Sequence, residues 1–266
     1  MSILGRFLYK SRKFYDDDFD WDSYTEDSYE RRLVSVVERE NLAAAAPGDL
    51  TFDPATGSVT SNSRPIHPNQ QAILEVIGRL RPRSVHEVGC GGGDHLANGQ
   101  LLYPDIAFSG SDRSDGQLAL ARKRHPTLAD RLVQRDLTMP FSRNWVQSDL
   151  VYSQTVLMHI HTAVSHFVAL SNMVALAERY VLLMENQQCH NFVEDIGNLH
   201  AGGHFAWDSL HVYRFDGTDG ARTILLSKNP LPMEPLTTDA QLRAGLKPSP
   251  RRLKRAREDS ARGTFG

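Results

Sequence analysis

The chain's densest set of ligand-binding groups is the run Glu87-Val88-Gly89-Cys90-Gly91-Gly92-Gly93, followed by Asp94. Glycines at this spacing let a backbone turn sharply and approach a ligand more closely than a Cβ would allow. A dinucleotide would call for a glycine at position 94, counting G-x-G-x-x-G from Gly89, with its pyrophosphate resting on the helix that follows. Asp94 stands there instead, and its carboxylate would repel a pyrophosphate. The run therefore suits a cationic ligand that carries no phosphate. A second group is Ser153-Gln154-Thr155-Val156-Leu157-Met158-His159-Ile160-His161. A neutral imidazole has a suitable pKa to take a proton near pH 7. His159 and His161 are thus candidate general bases, the alternative being a packed histidine that only supports its loop. Glu185 joins them in the catalytic set. Beyond it lies a long polar stretch with embedded aromatics, from which Asn186, His190, His204 and Trp207 are candidate substrate-binding residues. That composition suits a hydroxyl-rich ligand such as a sugar, with Trp207 as a stacking face; a covering helix at about 191–199 and a loop would account for it equally well. No H-E-x-x-H or paired-cysteine spacing accompanies His190, His200 and His204, so no metal site is expected.

These groups need a scaffold. Apolar residues at Ala72, Ile73, Val76, Ile77 and Leu80 mark one face of a helix over 68–80, stopping before Pro82. The segment 84–89 reads as a buried strand and 95–102 as the helix after it. Segment 106–112 is a second strand, and Ser114 with Gln117 three residues on is a capping-box signal for a helix to about His125. Strands are predicted at 131–136, 149–154 and 179–185, with a helical run at 163–177 between the last two. A closing hairpin is predicted from 211–215 and 222–227. Strands separated by helices imply parallel crossovers and a sheet covered on both faces. The expected fold is α/β, a doubly wound and mostly parallel seven-stranded sheet with an antiparallel hairpin at its end. The glycine run would then sit at the carboxyl ends of the strands, where such sheets bind ligands.

The glycine run matches the E/D-x-G-x-G-x-G first motif of class I S-adenosylmethionine-dependent methyltransferases, and residues 66–228 resemble that family. The resemblance implies S-adenosylmethionine as cofactor, held by Glu87, Gly89, Gly91, Gly93, Asp112, Asp136, Leu137 and Ser153. Asp112, closing the second strand, would accept the ribose hydroxyls; Asp136 with Leu137 beside it would meet the adenine amino group; Glu87 would lie near the cationic amino-acid end. Val156 to Ile160 resembles the V-L-x-H-I segment common in small-molecule members. The D/N-P-P-Y motif of nucleobase N-methyltransferases is absent after the fourth strand. The expected activity is methyl transfer to a hydroxyl of a sugar, glycan precursor or other polar small molecule, with a histidine base. Two alternatives stay open: an RNA-directed methyltransferase using a basic tail, and a non-catalytic protein that binds the cofactor.

Composition narrows the classes further. The chain has 266 residues, 40% hydrophobic and 23% charged, as in an ordinary globular protein. Thirty Lys+Arg against 32 Asp+Glu give a net charge of -2, so no whole-protein field draws in nucleic acid or an anionic membrane. Cys90 and Cys189 cannot form a disulfide framework, and no apolar run approaches a membrane span, so a cytoplasmic protein is expected. Self-association is left open. Residues 1–65 read as an N-terminal extension, acidic from Asp16 to Glu30 and with a small hairpin near its end. Residues 229–266 read as a basic, proline-rich tail.

Overall fold

The computed structural model describes residues 45–62, 65–142, 144–160, 165–187, 189–217 and 222–236. The acidic segment, His161 and the tail beyond residue 236 lie outside the described residues. A two-stranded antiparallel hairpin, β1 (Leu50–Asp53) and β2 (Ser58–Ser61), comes first. It precedes α1 (Pro68–Leu80), β3 (Ser84–Val88), α2 (Asp94–Leu102), β4 (Ala107–Asp112) and α3 (Asp115–Arg124). Then come β5 (Leu132–Gln134), β6 (Ser148–Gln154), α4 (Ser165–Leu176), β7 (Ala177–Met184), α5 (Phe192–Ala201), β8 (His211–Asp216) and β9 (Arg222–Ser227). Strands β3 to β9 form one sheet in the order β5-β4-β3-β6-β7-β9-β8. Neighbours from β5 to β7 run parallel, whereas β9 is antiparallel to both β7 and β8. The doubly wound sheet with its closing hairpin is the fold expected from the sequence.

Both faces of the sheet are covered, which explains why its strands read as nearly continuous apolar runs. Side chains alternate across each strand. Leu150 and Tyr152 of β6, and Tyr180, Leu182 and Met184 of β7, join the core beneath α1, α2 and α3. Val151, Val181 and Leu183 face the other way, into the core with α4 and α5. The β1–β2 hairpin also belongs to the first core: Val59 is buried there, and Phe52 meets Tyr103 edge-on at 5.9 Å.

Local signals set the helix ends. Pro68 opens α1 behind His67, whose Nδ1 accepts from the Asn69 amide at 3.2 Å. Ser114 Oγ accepts from the Gln117 amide at 3.0 Å, the cap expected for α3. At the amino ends of the central strands, Asp149 is fully buried and accepts from the Arg83 amide, Nε and Nη2 at 2.7, 3.1 and 3.0 Å. This pairing holds the Asp149 carboxyl down at about 2. No helix among the described residues is long and apolar enough to cross a membrane.

Candidate functional site

A cavity of about 460 Å³ opens at the carboxyl ends of the strands, within the size range of small-molecule sites. The strand order lays out its walls. Asp136, Leu137 and Thr138 follow β5, Asp112 and Arg113 close β4, Glu87 and the glycine loop close β3, and Gln154 to Val156 with His159 and Ile160 close β6. Helix α1 lies against β7, β8 and β9. Its amino end brings His67 and Asn69 to the cavity wall from that side.

The glycine loop is left-handed at three alternate positions: Gly89 (φ 69°), Gly91 (φ 50°) and Gly93 (φ 77°). L side chains rarely adopt this backbone. Gly89 also has no room for a Cβ, which would lie 2.4 Å from Val156 Cγ2. Asp112 fastens the loop: Oδ2 accepts from the Gly91 amide and Oδ1 from the Ser114 amide, both at 2.9 Å. Burial raises the Asp112 pKa, while those two amides pull it back. A carboxylate has about four acceptor sites, so further hydroxyls can still be bound.

Glu87 is the site's most telling group. It is 1% exposed, its Oε1 meets His95 Nδ1 at 3.2 Å, and its Oε2 has no partner. Burial pushes its pKa up, His95 and Tyr152 lower it, and Asp112 raises it again. A buried carboxylate oxygen on a cavity wall is an invitation to a cation. Asp94, also on the cavity wall, makes contacts of 2.7 Å with both Arg124 Nη1 and His125 Nε2, tying α2 to the end of α3. The cavity's remaining orphans are Gln154 Oε1 and Arg135 Nη1. Arg135 packs over the Trp145 ring at 4.4 Å, and its pKa is lowered by burial. Partial burial likewise lowers His159, favouring the neutral imidazole.

Of the residues singled out from sequence, Glu87, Gly89, Gly91, Gly93, Asp112, Asp136, Leu137 and His159 share this one cavity. The others among the described residues are placed elsewhere. Ser153 and Glu185 are buried behind the wall, where Ser153 Oγ donates to Glu185 Oε1 at 2.7 Å. His190 is buried beside Leu157, its Nε2 3.1 Å from that residue's carbonyl. Trp207 is a core residue rather than a stacking face, its indole N–H donating to the Ala177 carbonyl at 3.1 Å. An apolar ring that finds one carbonyl partner is more stable inside than on a cavity wall. Asn186 and His204 are exposed and outside the cavity. Sequence reasoning missed His67, Asn69, Arg113, Gln117, Arg135, Thr138 and Gln154. Only the Pro68 helix-start signal pointed toward the first two. Among the described residues, no group of three or more His, Cys, Asp or Glu side chains could hold a metal ion.

The fit to S-adenosylmethionine can be judged on these groups. An unpaired buried carboxylate oxygen suits a cationic ligand end, left-handed glycines leave the loop without Cβ atoms, and acids at successive strand ends suit ribose and adenine. The residues fit.

Comparison with known proteins agrees. Residues 86–175 match the model of a methyltransferase domain. No curated protein matches the chain by sequence. Among solved structures, a TehB-like SAM-dependent methyltransferase from Corynebacterium glutamicum aligns with a TM-score of 0.51 and 16% identity, covering 78% of this chain and 99% of that one. The plantazolicin methyltransferase BpumL, in complex with SAH, aligns with a TM-score of 0.50 and 10% identity, covering 79% and 94%. These similarities show a shared fold.

Proposed function

From a methyltransferase domain at residues 86–175 within a class I S-adenosylmethionine-dependent fold, we propose that this chain methylates a hydroxyl of a sugar, glycan precursor or other polar small molecule. The observation that carries the reading is the single cavity joining the left-handed glycine loop and the half-partnered Glu87 to His159. S-adenosylmethionine supplies a methyl group already activated by its sulfonium. Glu87 faces the ligand's cationic end, Asp112 takes ribose hydroxyls, and Asp136 with the Leu137 backbone receives the adenine. His159, with its pKa lowered, takes the acceptor's proton at a ring nitrogen. Gln154, Thr155, His67 and Asn69 orient the acceptor through uncharged donors and acceptors.

Calorimetry of the full chain with S-adenosylmethionine is expected to give micromolar-range binding, lost in Gly91→Val and strongly weakened in Asp112→Ala. Unchanged affinity in both variants would reject the assignment. Mass spectrometry of host metabolites and glycans, with and without the protein, identifies the acceptor by its 14-dalton difference. With that acceptor, His159→Ala is expected to lower turnover by about 10²–10⁴-fold at nearly unchanged cofactor affinity.

A further inference from the structure

We propose that Glu185 and His190 are positioning residues that lock the turn at 155–159 into its cavity-facing shape before any acceptor arrives. This deepens the methyl-transfer reading, on which its catalytic consequence rests, but the lock itself is a property of the turn.

Thr155 is left-handed (φ 54°), which is a true outlier for a β-branched residue, and Val156 follows with φ -107° and ψ -59°. A left-handed residue beside a right-handed one points successive amides into a common concavity that binds anions. Here the anion comes from the chain itself. Glu185 Oε1 accepts from the Val156 amide at 3.1 Å and from Ser153 Oγ at 2.7 Å, while Oε2 accepts from the Met158 amide at 3.1 Å. The Val156 and Met158 amides thus close on a group that β7 delivers from behind.

The turn is gripped from its other side as well. A carbonyl can only accept, so the 3.1 Å contact between His190 Nε2 and the Leu157 oxygen makes Nε2 the protonated nitrogen. The His190 ring stacks on His166 at 4.1 Å and 16°, and His166 Nε2 lies 3.3 Å from Asp195 Oδ2. Helices α4 and α5 therefore hold the carbonyl side while β7 holds the amide side. Between them the Val156 side chain fills the space beneath Gly89. The shape that presents His159 is thereby also the shape that supports the cofactor loop.

The test is amide hydrogen exchange on the full chain, read at Val156, Leu157 and Met158. Glu185→Gln is expected to speed exchange there by about tenfold, with Val85 and Val151 at the sheet centre unchanged. His190→Phe keeps the ring but removes the donor and is expected to give a smaller increase. Asn tolerates left-handed backbone far better than Thr, so adding Thr155→Asn to Glu185→Gln should restore part of the lost protection. A residue that merely fills space would show no such rescue. Unchanged exchange in Glu185→Gln, or no recovery in the double variant, overturns the proposal. Should Glu185→Gln fail to fold, Thr155→Asn alone decides: a higher melting temperature with protection kept supports a strained turn, and a lower one overturns it. Turnover that survives His159→Ala would remove the base assignment and leave these exchange rates as they are, so the two failures stay distinct.

Discussion

The two edges of the central sheet treat buried charge in opposite ways. At the amino ends of β3 and β6, Asp149 is fully buried and both its carboxylate oxygens accept from Arg83, with Arg179 Nη1 4.0 Å from Oδ2. At the carboxyl ends, Glu87 is equally buried yet keeps one oxygen without a partner, and Gln154 and Arg135 each keep an orphaned atom. A buried polar atom left unpaired costs about 1–3 kcal/mol. The first edge uses charge to fasten strands; the second holds groups unsatisfied where a ligand can complete them. The contrast separates the two ends of the sheet, and it can be broken by variants that separate stability from cofactor affinity.

The largest expected effect is at the glycine loop. Gly91→Val forces a β-branched residue to φ 50° and sets a Cβ 3.3 Å from Gln117 Oε1. The left-handed penalty alone is about 1–2 kcal/mol, and with the lost cradle the affinity should fall on the order of a hundredfold in calorimetry. Asp149→Ala is the opposite experiment. It strips the Arg83 amide of its acceptor and leaves the guanidinium only Glu178, costing about 2 kcal/mol of stability with cofactor affinity unchanged. The Asp149 pKa is depressed to about 2 in the fold. Its contribution is therefore present above the ordinary carboxylate range near 4 and lost as pH falls through about 2, where variant and parent should converge in thermal melts. Weakened cofactor binding in Asp149→Ala at neutral pH would show that the edges are not separable.

Glu87→Gln joins both readouts. The fold raises the Glu87 pKa by burial, so ionising it opposes folding. That penalty is absent below the ordinary value, grows as pH rises above it and is complete once pH has passed the raised one. The amide should therefore melt higher than the parent at pH 7 while binding S-adenosylmethionine about tenfold more weakly, as loss of a charge-assisted contact implies. In the parent, affinity should also fall on acidification through the raised Glu87 pKa, and the variant's pH profile should be flat. A variant that loses both stability and affinity would mean Glu87 is structural.

The same two edges explain what could be read from the chain. The central strands β3, β6 and β7 were legible because they are largely apolar runs buried on both faces, and the glycine loop because its parts are consecutive. Ser114 announced its helix through a local cap. Ser153 and Glu185 were legible as polar groups at strand ends, but not as partners, because sequence does not say which way a side chain turns where a strand stops. Trp207 and His190 misled for a related reason: each carries a polar atom that a single backbone carbonyl satisfies inside the core. His67 and Asn69 reach the cavity only because α1 packs across β7, β8 and β9, a tertiary fact with no local signature.

His67 supplies the smallest and most discriminating effect. Its Nδ1 accepts from the Asn69 amide, so the neutral ring carries its proton on Nε2 and can donate at the end of the cavity proposed for the acceptor. The same ring caps α1. His67→Ala removes both roles and should lower stability by about 1 kcal/mol, the ordinary value of an amino-terminal cap. His67→Asn keeps the cap, because asparagine is among the best residues there, and should restore stability to within a few tenths of a kcal/mol. Neither change should alter S-adenosylmethionine affinity, since the contacts proposed for the cofactor lie along β3, β4 and β5, away from α1. With an acceptor in hand, both should raise its KM, and His67→Asn should do so without any loss in melting temperature. If His67→Asn instead weakens the cofactor as Glu87→Gln does, α1 caps the methyl donor rather than the acceptor, and the division of the cavity between its two ligands has to be redrawn.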